Sequence, residues 1–290
     1  MTIRIGISGW RYAPWRGVFY PGALPQRSEL AYAAGLFPSI EINGSFYSLQ
    51  SPASWRAWRD AVPDGFVFAV KGPRFITHMK RLQDIEMPLA NFFASGVLAL
   101  DDRLGPLLWQ LPPNLAFDPA RMMAFLSLLP RDTTAALSLA RRREAARMKG
   151  RSALPQLPRR PIRHAIEVRH ASFQTPEFMG LLREHGVGLV VSDSAGRHPV
   201  TEDVTADFIY IRLHGDTELY TSGYGDAALD RWAQRIRRWA AGGEPRDAQR
   251  SAPRAPRAHE GRDVYCYFDN DAKVHAPFDA QALARRLPAS

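Results

Sequence analysis

Residues 3–8 read Ile-Arg-Ile-Gly-Ile-Ser, a short β-type apolar run that stops at a polar residue. The same pattern recurs along the chain, and most of the runs are followed by a helix start signal such as Ser51-Pro52 or Asp118-Pro119. The eight runs cover residues 3–7, 39–42, 66–70, 106–109, 165–168, 188–191, 208–213 and 264–268. Strands and helices that alternate in this number predict a single (β/α)₈ TIM barrel in the α/β class.

Length and composition are consistent with one domain spanning residues 1–290, because a hydrophobic content of 46% can supply one large core. No apolar run reaches the roughly 18 residues of a membrane span. The N-terminus leads directly into the first strand, without the features of a signal peptide. One cysteine, Cys266, excludes an internal disulfide and a multi-cysteine metal site. We therefore expect a cytoplasmic protein without a membrane partner.

The net charge of +9 is concentrated in one segment. Residues 141–163 contain nine Arg and Lys against Glu144, a net charge of +8, and residues 244–262 add +2, so the rest of the chain is nearly neutral. Proline and glycine in these regions predict mobile basic insertions near 144–163 and 242–261. Because each insertion precedes a strand, we expect both on the face opposite the carboxyl ends of the strands.

Seven phrases at the strand ends resemble a known family. They are Gly6-Ile-Ser-Gly-Trp10, Glu41-Ile-Asn-Gly-Ser-Phe-Tyr47, Lys71-Gly72 with Arg74-Phe-Ile-Thr-His78, Trp109-Gln-Leu-Pro-Pro113, Glu167-Val-Arg-His170, Arg212-Leu-His-Gly215 and Tyr267-Phe-Asp-Asn-Asp271. In this order, over nearly the whole chain, they resemble the DUF72 family, typified by YecE-like proteins. The resemblance implies a TIM barrel, for which an analogy to the endonuclease IV and xylose isomerase class has been suggested, and it implies no established activity.

Residues after the strands of a TIM barrel converge on one face, so the strand ends indicate where chemistry would occur. The predicted proton-transfer residues are Glu167, His214 and Glu41, because histidine titrates near neutral pH and a carboxylate does so when buried. Glu167 and Arg169 should share one face of their strand. Glu167 is thus open to two interpretations, a catalytic group or half of a buried Glu-Arg pair that holds the barrel end together.

Cationic and aromatic residues at the strand ends predict a basic pocket for an anion or a sugar. The predicted binding residues are Trp10, Asn43, Lys71, Arg74, Arg169, Arg212, Tyr224 and Asn270, with Trp10 and Tyr224 at the pocket rim. No metal site is predicted, because the carboxylates and histidines are interleaved with Lys and Arg. No cofactor is predicted either, since a dinucleotide fingerprint and a phosphate loop are both missing from the sequence.

Three functions fit these observations. The first is a metal-independent enzyme that acts on a small anionic or sugar-like substrate held in the basic pocket. The second is a nucleic-acid binding or processing protein, for which the Arg-rich segment would add salt-sensitive affinity and which the endonuclease IV analogy would favour. The third is a non-catalytic accessory protein that binds a ligand. The sequence leaves open whether turnover occurs.

Overall fold

A computed structural model that describes residues 1–288 shows eight parallel strands joined in sequence order into a closed barrel. The strands are Ile3–Ser8 (β1), Ser39–Ile42 (β2), Val67–Lys71 (β3), Leu104–Gln110 (β4), His164–Glu167 (β5), Gly188–Asp193 (β6), Phe208–Leu213 (β7) and Asp263–Phe268 (β8). β8 pairs with β1 from Val264 opposite Ile3 to Phe268 opposite Ile7, which closes the barrel. The predicted TIM-barrel fold is confirmed.

Helices surround the barrel, and two of them begin at the start signals Ser51-Pro52 and Asp118-Pro119. Ser51 and Asp118 each accept a hydrogen bond from a backbone N–H three residues later, and each is followed by proline. The helices are Glu29–Ala34 (α1), Gly44–Tyr47 (α2), Pro52–Asp60 (α3), Glu86–Ala94 (α4), Pro119–Leu128 (α5), Thr133–Arg141 (α6), Ala145–Met148 (α7), Pro176–Glu184 (α8), Asp226–Ala240 (α9) and His275–Ala284 (α10). Within residues 1–288, no helix has the length and apolar character needed to cross a membrane.

The connection from β6 to β7 contains no helix, unlike the other βα units. The second insertion, residues 242–261, packs there instead. Its backbone accepts a hydrogen bond from Glu202 N at Gln249 O (2.7 Å), and the Asp203 carboxylate accepts from the backbone of Ser251 (2.8 Å). Thr205, beside this contact, bonds Val187 O at the start of β6. This insertion therefore lies at the amino ends of the strands, on the face where it was expected.

The first insertion departs from the prediction. α6 runs from the amino-end side, where Thr133 N donates to Arg160 O, towards the start of α4, where Arg142 pairs with Glu86. Further along the segment, Arg147 Cζ lies 5.6 Å from the ring centroid of Phe75. Phe75 begins a π-helical turn that follows β3. The expectation that the whole segment lies opposite the pocket is wrong for residues 141–148, because an additional helix, α6, carries the chain back along the barrel.

Alternation along the strands separates two sets of side chains. One set packs against the helices, and the lower barrel interior is filled by Ala69, Leu108, Ala165, Val190, Phe208, Tyr210, Tyr265 and Tyr267. The next inward positions towards the carboxyl ends of the strands are polar in almost every strand, namely Ser8, Glu41, Lys71, Gln110, Glu167, Ser192 and Arg212. The fold thus places a layer of polar and charged side chains above an apolar and aromatic interior.

Candidate functional site

Arg212 lies at the centre of this polar layer and is fully buried. Its Nε and Nη2 donate to the two oxygens of Glu41 at 3.1 and 2.8 Å, and its Nη1 donates to Glu167 Oε2 at 2.8 Å. Nη2 also reaches Asp269 Oδ2 at 3.0 Å. Burial disfavours the guanidinium, but the carboxylates of Asp269, Glu41 and Glu167 outweigh burial and raise the pKa of Arg212 well above its ordinary value.

Glu167 is held by three neighbours. Gln110 Nε2 lies 3.0 Å from each of its oxygens, and Arg169 Nε donates to Oε1 at 2.8 Å. Burial alone would raise the pKa of Glu167, but Arg169 and Arg212 outweigh it and lower that pKa well below the usual range. Glu167 is therefore ionised and hydrogen-bonded on both oxygens, which favours the interpretation of a buried Glu-Arg pair.

Glu41 accepts hydrogen bonds from hydroxyls as well as from Arg212. Ser8 Oγ donates to its Oε1 at 2.5 Å, and Tyr210 OH donates to its Oε2 at 2.6 Å. Asn43 Nδ2 donates to Ser8 Oγ at 2.7 Å, so Asn43 joins the network through the serine. These contacts tie β1, β2 and β7 together at one level of the barrel.

His214 and Asp269 form a pair at the edge of the same network. His214 Nδ1 lies 2.9 Å from Asp269 Oδ2, while Nε2 lies 3.4 Å from Arg212 Nη1 and can accept from it. Burial would raise the pKa of Asp269, but Arg212 and His214 lower it below its ordinary value. The Asp269 side chain remains 14% exposed and the His214 side chain is fully buried, so the carboxylate is the member of this pair that reaches solvent.

Lys71 differs from every charged group described above. Its Nζ lies 4.3 Å from the ring centroid of Phe46 and makes no hydrogen bond or ion pair within residues 1–288. The residue is only 8% exposed. Burial, and next the positive charge of Arg212, lower the pKa of Lys71 to about 8, although Asp269, Glu41 and Glu167 oppose the shift. Lys71 therefore presents an amine with open donors at the end of β3.

Burial and nearby cations lower the pKa of two neighbouring histidines, His78 and His198. Burial, followed by Lys71, Arg169 and Arg74, lowers the pKa of His78 to about 4. Burial and then Arg169 also lower the pKa of His198. Cations that make further protonation of a neighbour unfavourable make an anion favourable. The opening at the carboxyl ends of the strands, beside which these cations lie, is called the barrel mouth below.

Most of the residues predicted from sequence converge here. Glu41, Glu167, Arg169, Arg212 and His214 belong to one bonded set, called the Arg212 network below together with Ser8, Gln110, Tyr210 and Asp269. Lys71 lies beside this set. Trp10 lines a neighbouring cavity of about 300 Å³ with Tyr12, Asn43 and Trp58, and Arg74 lines a different one.

Two of the predicted binding residues lie elsewhere. Asn270 is fully buried, and its Nδ2 donates to Ser222 O at 2.9 Å and to Asp279 Oδ2 at 2.8 Å. Tyr224 is 5% exposed, accepts from Gly215 N at 3.1 Å and packs edge-on against Phe268. Both side chains hold the loop after β7 against neighbouring elements, and neither reaches the Arg212 network.

Asp269 and Tyr210 were missed as site residues from sequence. Tyr210 is two positions before Arg212 on β7, so alternation along the strand would have placed both inside the barrel. Asp269 is the first residue after β8 and occupies the same strand-end position as the residues that were chosen. The sequence pattern therefore indicated both positions. Tyr210 was overlooked because an aromatic residue inside a strand is typical of the core, and Asp269 because it only marked the end of the last apolar run.

Within residues 1–288, no three His, Cys, Asp or Glu side chains are grouped so that they could hold a metal ion. Three carboxylates do converge in the Arg212 network, but their oxygens are already bonded to an arginine. Glu41, Glu167 and Asp269 all direct oxygens at Arg212, so the guanidinium occupies the position that a cation would take.

Comparison with curated proteins finds partial similarity to two proteins that are both described as UPF0759 proteins. The UPF0759 protein YecE of Escherichia coli is 29% identical over 131 residues, covering 44% of this chain and 44% of that protein. The UPF0759 protein YunF of Bacillus subtilis is 27% identical over 116 residues, covering 38% of this chain and 40% of YunF. The matches thus span less than half of the length of these curated relatives.

Solved structures resemble the whole chain in fold. A DUF72 family protein from Thermotoga maritima superposes with a TM-score of 0.73 at 22% identity, covering 98% of both chains. A DUF72 family protein from Enterococcus faecalis gives a TM-score of 0.70 at 17% identity, covering 100% of this chain and 96% of that one. The family model described as "Protein of unknown function DUF72" matches residues 4–290. The chain therefore belongs to the DUF72 family.

Proposed function

We propose that this protein is an enzyme that binds a small anionic substrate at the barrel mouth and uses Lys71 to hold it and to exchange a proton with it. The observation that carries the proposal is the Lys71 ammonium, whose Nζ has no hydrogen-bond partner among the described residues while the charges of the Arg212 network are paired. The residue keeps 8% exposure, so its ammonium donors are free to bond a ligand that enters the barrel mouth. A substrate anion would supply that partner.

Arg169 would provide the second contact to the anion. Its Nε is used by Glu167, but its side chain is 14% exposed and its Nη2 lies 3.5 Å from Tyr220 OH at the surface of the network. Arg212 has a different role in this proposal. It is fully buried and its donors bond three carboxylates, so it fixes the charges beneath the substrate and does not contact it.

Lys71 is also the group best matched to proton transfer near neutral pH. Its pKa of about 8 lets it act as an ammonium acid or, after losing a proton, as an amine base. The pKa of Glu167 and that of Asp269 are held below their ordinary values, which makes both carboxylates weak bases. In this mechanism the carboxylates and Arg212 are fixed charges beneath the substrate that do not change protonation state. The proton moves between Lys71 Nζ and the bound substrate.

The small number of lysines allows a direct test. Reductive methylation with ¹³C-formaldehyde labels Lys71, Lys80, Lys149, Lys273 and the N-terminal α-amino group, and single Lys→Met variants assign the four lysine signals. We expect the Lys71 signal to titrate near pH 8 and to shift when millimolar inorganic phosphate is added. Lys71→Met should lose both the signal and the phosphate response, whereas Lys273→Met should keep the response. A phosphate response confined to Lys80, Lys149 or Lys273, or none at all, would overturn the proposed site.

Turnover is tested separately. Small anionic metabolites that raise the melting temperature are incubated with the wild-type protein and with Lys71→Met, and their consumption is followed by mass spectrometry. We expect consumption only by the wild type. Stabilisation of the wild type without consumption of any stabilising compound would contradict the enzyme and leave an anion-binding protein, which is the accessory function considered from sequence.

A further inference from the structure

A second cavity, of about 450 Å³, opens beside the loops after β2 and β3. Among the residues that line it are Tyr47, Arg74, Phe75, Met79, Lys80 and Arg147, and it is called the side groove below. Its volume is within the range of about 300–1,000 Å³ that is usual for small-molecule sites. Phe46 also lines it and separates it from Lys71, so the side groove is a neighbour of the barrel mouth and a different space.

Cations and aromatic rings alternate around the side groove. Arg74 lies 5.9 Å from the ring centroid of Tyr47, and Arg147 lies 5.6 Å from that of Phe75. The side chains of Arg74 and Lys80 make no hydrogen bond or ion pair within residues 1–288, and Arg147 approaches only Glu144, at 3.8 Å. Among the described lining residues, Asp84 is the one carboxylate against three cations, so the groove is positively charged.

The side groove also exposes apolar surface. Tyr47 is 70% exposed and Met79 is 62% exposed, so the ring and the thioether are both open to a ligand. A ring that stacks on tyrosine or phenylalanine beside a guanidinium gains both stacking and cation–π energy. The lining therefore suits a flat ring that carries a negative charge.

The basic insertion builds one wall of this groove. Asn91 of α4 accepts a hydrogen bond from Glu144 N at 2.9 Å, just before α7, and α7 carries Arg147 towards Phe75. Asn91 is 5% exposed and also lines the groove. The insertion is thus fixed to the barrel at the point where its arginine joins the other cations.

We propose that the side groove binds a mononucleotide, with the base on Tyr47 or Phe75 and the phosphate held by Arg74 and Arg147. The assignment rests on the combination, in one cavity of mononucleotide size, of the exposed Tyr47 ring, the unpaired Arg74, and Arg147, whose one carboxylate neighbour, Glu144, lies 3.8 Å away. It does not depend on the function proposed for the barrel mouth. It gives Arg147 of the basic insertion a binding role in place of a diffuse attraction for polyanions.

Calorimetric titration with AMP tests the assignment. We expect Tyr47→Ala and Arg147→Ser each to weaken AMP binding by roughly tenfold or more, because each removes a contact to the ring or to the phosphate. Arg141→Ser is the matched control, since it removes the same charge from an exposed position of the same segment outside the groove. Adenosine and ribose 5-phosphate, which each lack one half of AMP, should bind more weakly than AMP.

Other results would overturn the assignment. Equal weakening by Arg141→Ser and Arg147→Ser would show attraction by net charge alone. Loss of AMP binding in Lys71→Met but not in Arg147→Ser would place the phosphate at the barrel mouth, against the side groove and in favour of the function proposed above. A short single-stranded oligonucleotide that binds far more tightly than AMP, with a steep salt dependence, would identify a polynucleotide surface.

Discussion

The Arg212 network and the side groove both contain arginine side chains, but these differ in burial and in ion pairing. Arg212 is fully buried and bonds three carboxylates. Arg74 lies over an aromatic ring without an ion pair, and Arg147 lies over another with Glu144 3.8 Å away. Lys71 lies between the two regions, buried like Arg212 and unpaired like Arg74. The contrast teaches that an arginine at a strand end does not by itself indicate a ligand. What matters is whether its donors are already used.

The largest effect should follow from breaking the network at its centre. Arg212→Met leaves Glu41, Glu167 and Asp269 buried without their shared partner, and we expect a loss of about 3–5 kcal/mol in the free energy of unfolding. A loss of that size is a large share of the roughly 5–15 kcal/mol that typically stabilises a domain. Urea denaturation of the purified variant measures it.

The matched control for this change lies in the side groove. Arg74→Met removes an arginine without an ion pair and should change the free energy of unfolding by no more than about 0.5 kcal/mol. If the two variants were equally stable, the distinction between a structural and an available arginine would be lost.

Lys71 should show a smaller effect of the opposite sign. Lys71→Met removes a buried amine whose folded pKa has fallen from 10.5 to about 8, so we expect the free energy of unfolding at pH 7 to increase by about 1–3 kcal/mol while anion binding is lost. Since the unfolded chain binds the proton more tightly, the stability of the wild type should rise between about pH 8 and pH 10.5 and approach that of the variant.

Denaturation curves of Lys71→Met and wild type, recorded side by side at several pH values, measure this difference. Lys273→Met removes an exposed lysine and should run parallel to the wild type throughout. A destabilised Lys71→Met protein would mean that the ammonium serves the fold by neutralising the three carboxylates, and would count against its proposed availability to a ligand.

The smallest effect concerns Asp271, next to the network. Burial, and next the charge of Asp269, raise the pKa of Asp271 from 3.8 to about 6. The folded protein therefore holds this proton more tightly than the unfolded chain, and the contribution of Asp271 to wild-type stability should fall as the pH rises from about 4 to 6. Asp271→Asn should remove that fall, a difference of about 1 kcal/mol or less because the side chain is partly exposed.

Chemical denaturation across this pH range provides the measurement, with Asp84→Asn as the control at an exposed aspartate. The same pH dependence in Asp271→Asn and in the wild type would show that burial and Asp269 do not raise the pKa of Asp271.

The fold could be predicted closely from sequence, and the candidate site only in part. The start of β1 at Ile3 and the N-caps at Ser51 and Asp118 follow from local patterns, since alternation and capping act within a few residues. No comparable pattern predicted that β6 and β7 are joined without a helix. Nor did any pattern predict that α6 runs from the amino-end side of the barrel towards the start of α4. Both depend on which surfaces the neighbouring elements leave open.

The sequence by itself determined the number of strands, the polar positions at the strand ends and the family. These properties depend on short-range spacing and on the identity of residues that can be read in order. Only the tertiary structure decided which cations are available to a ligand, because their partners are remote in sequence. Arg212 on β7 donates hydrogen bonds to Glu41 on β2, 171 positions away in sequence. Lys71, at the end of β3, lies instead against the ring of Phe46. Hydrogen-bond donors are used or left open by three-dimensional proximity, which no local pattern in the chain encodes.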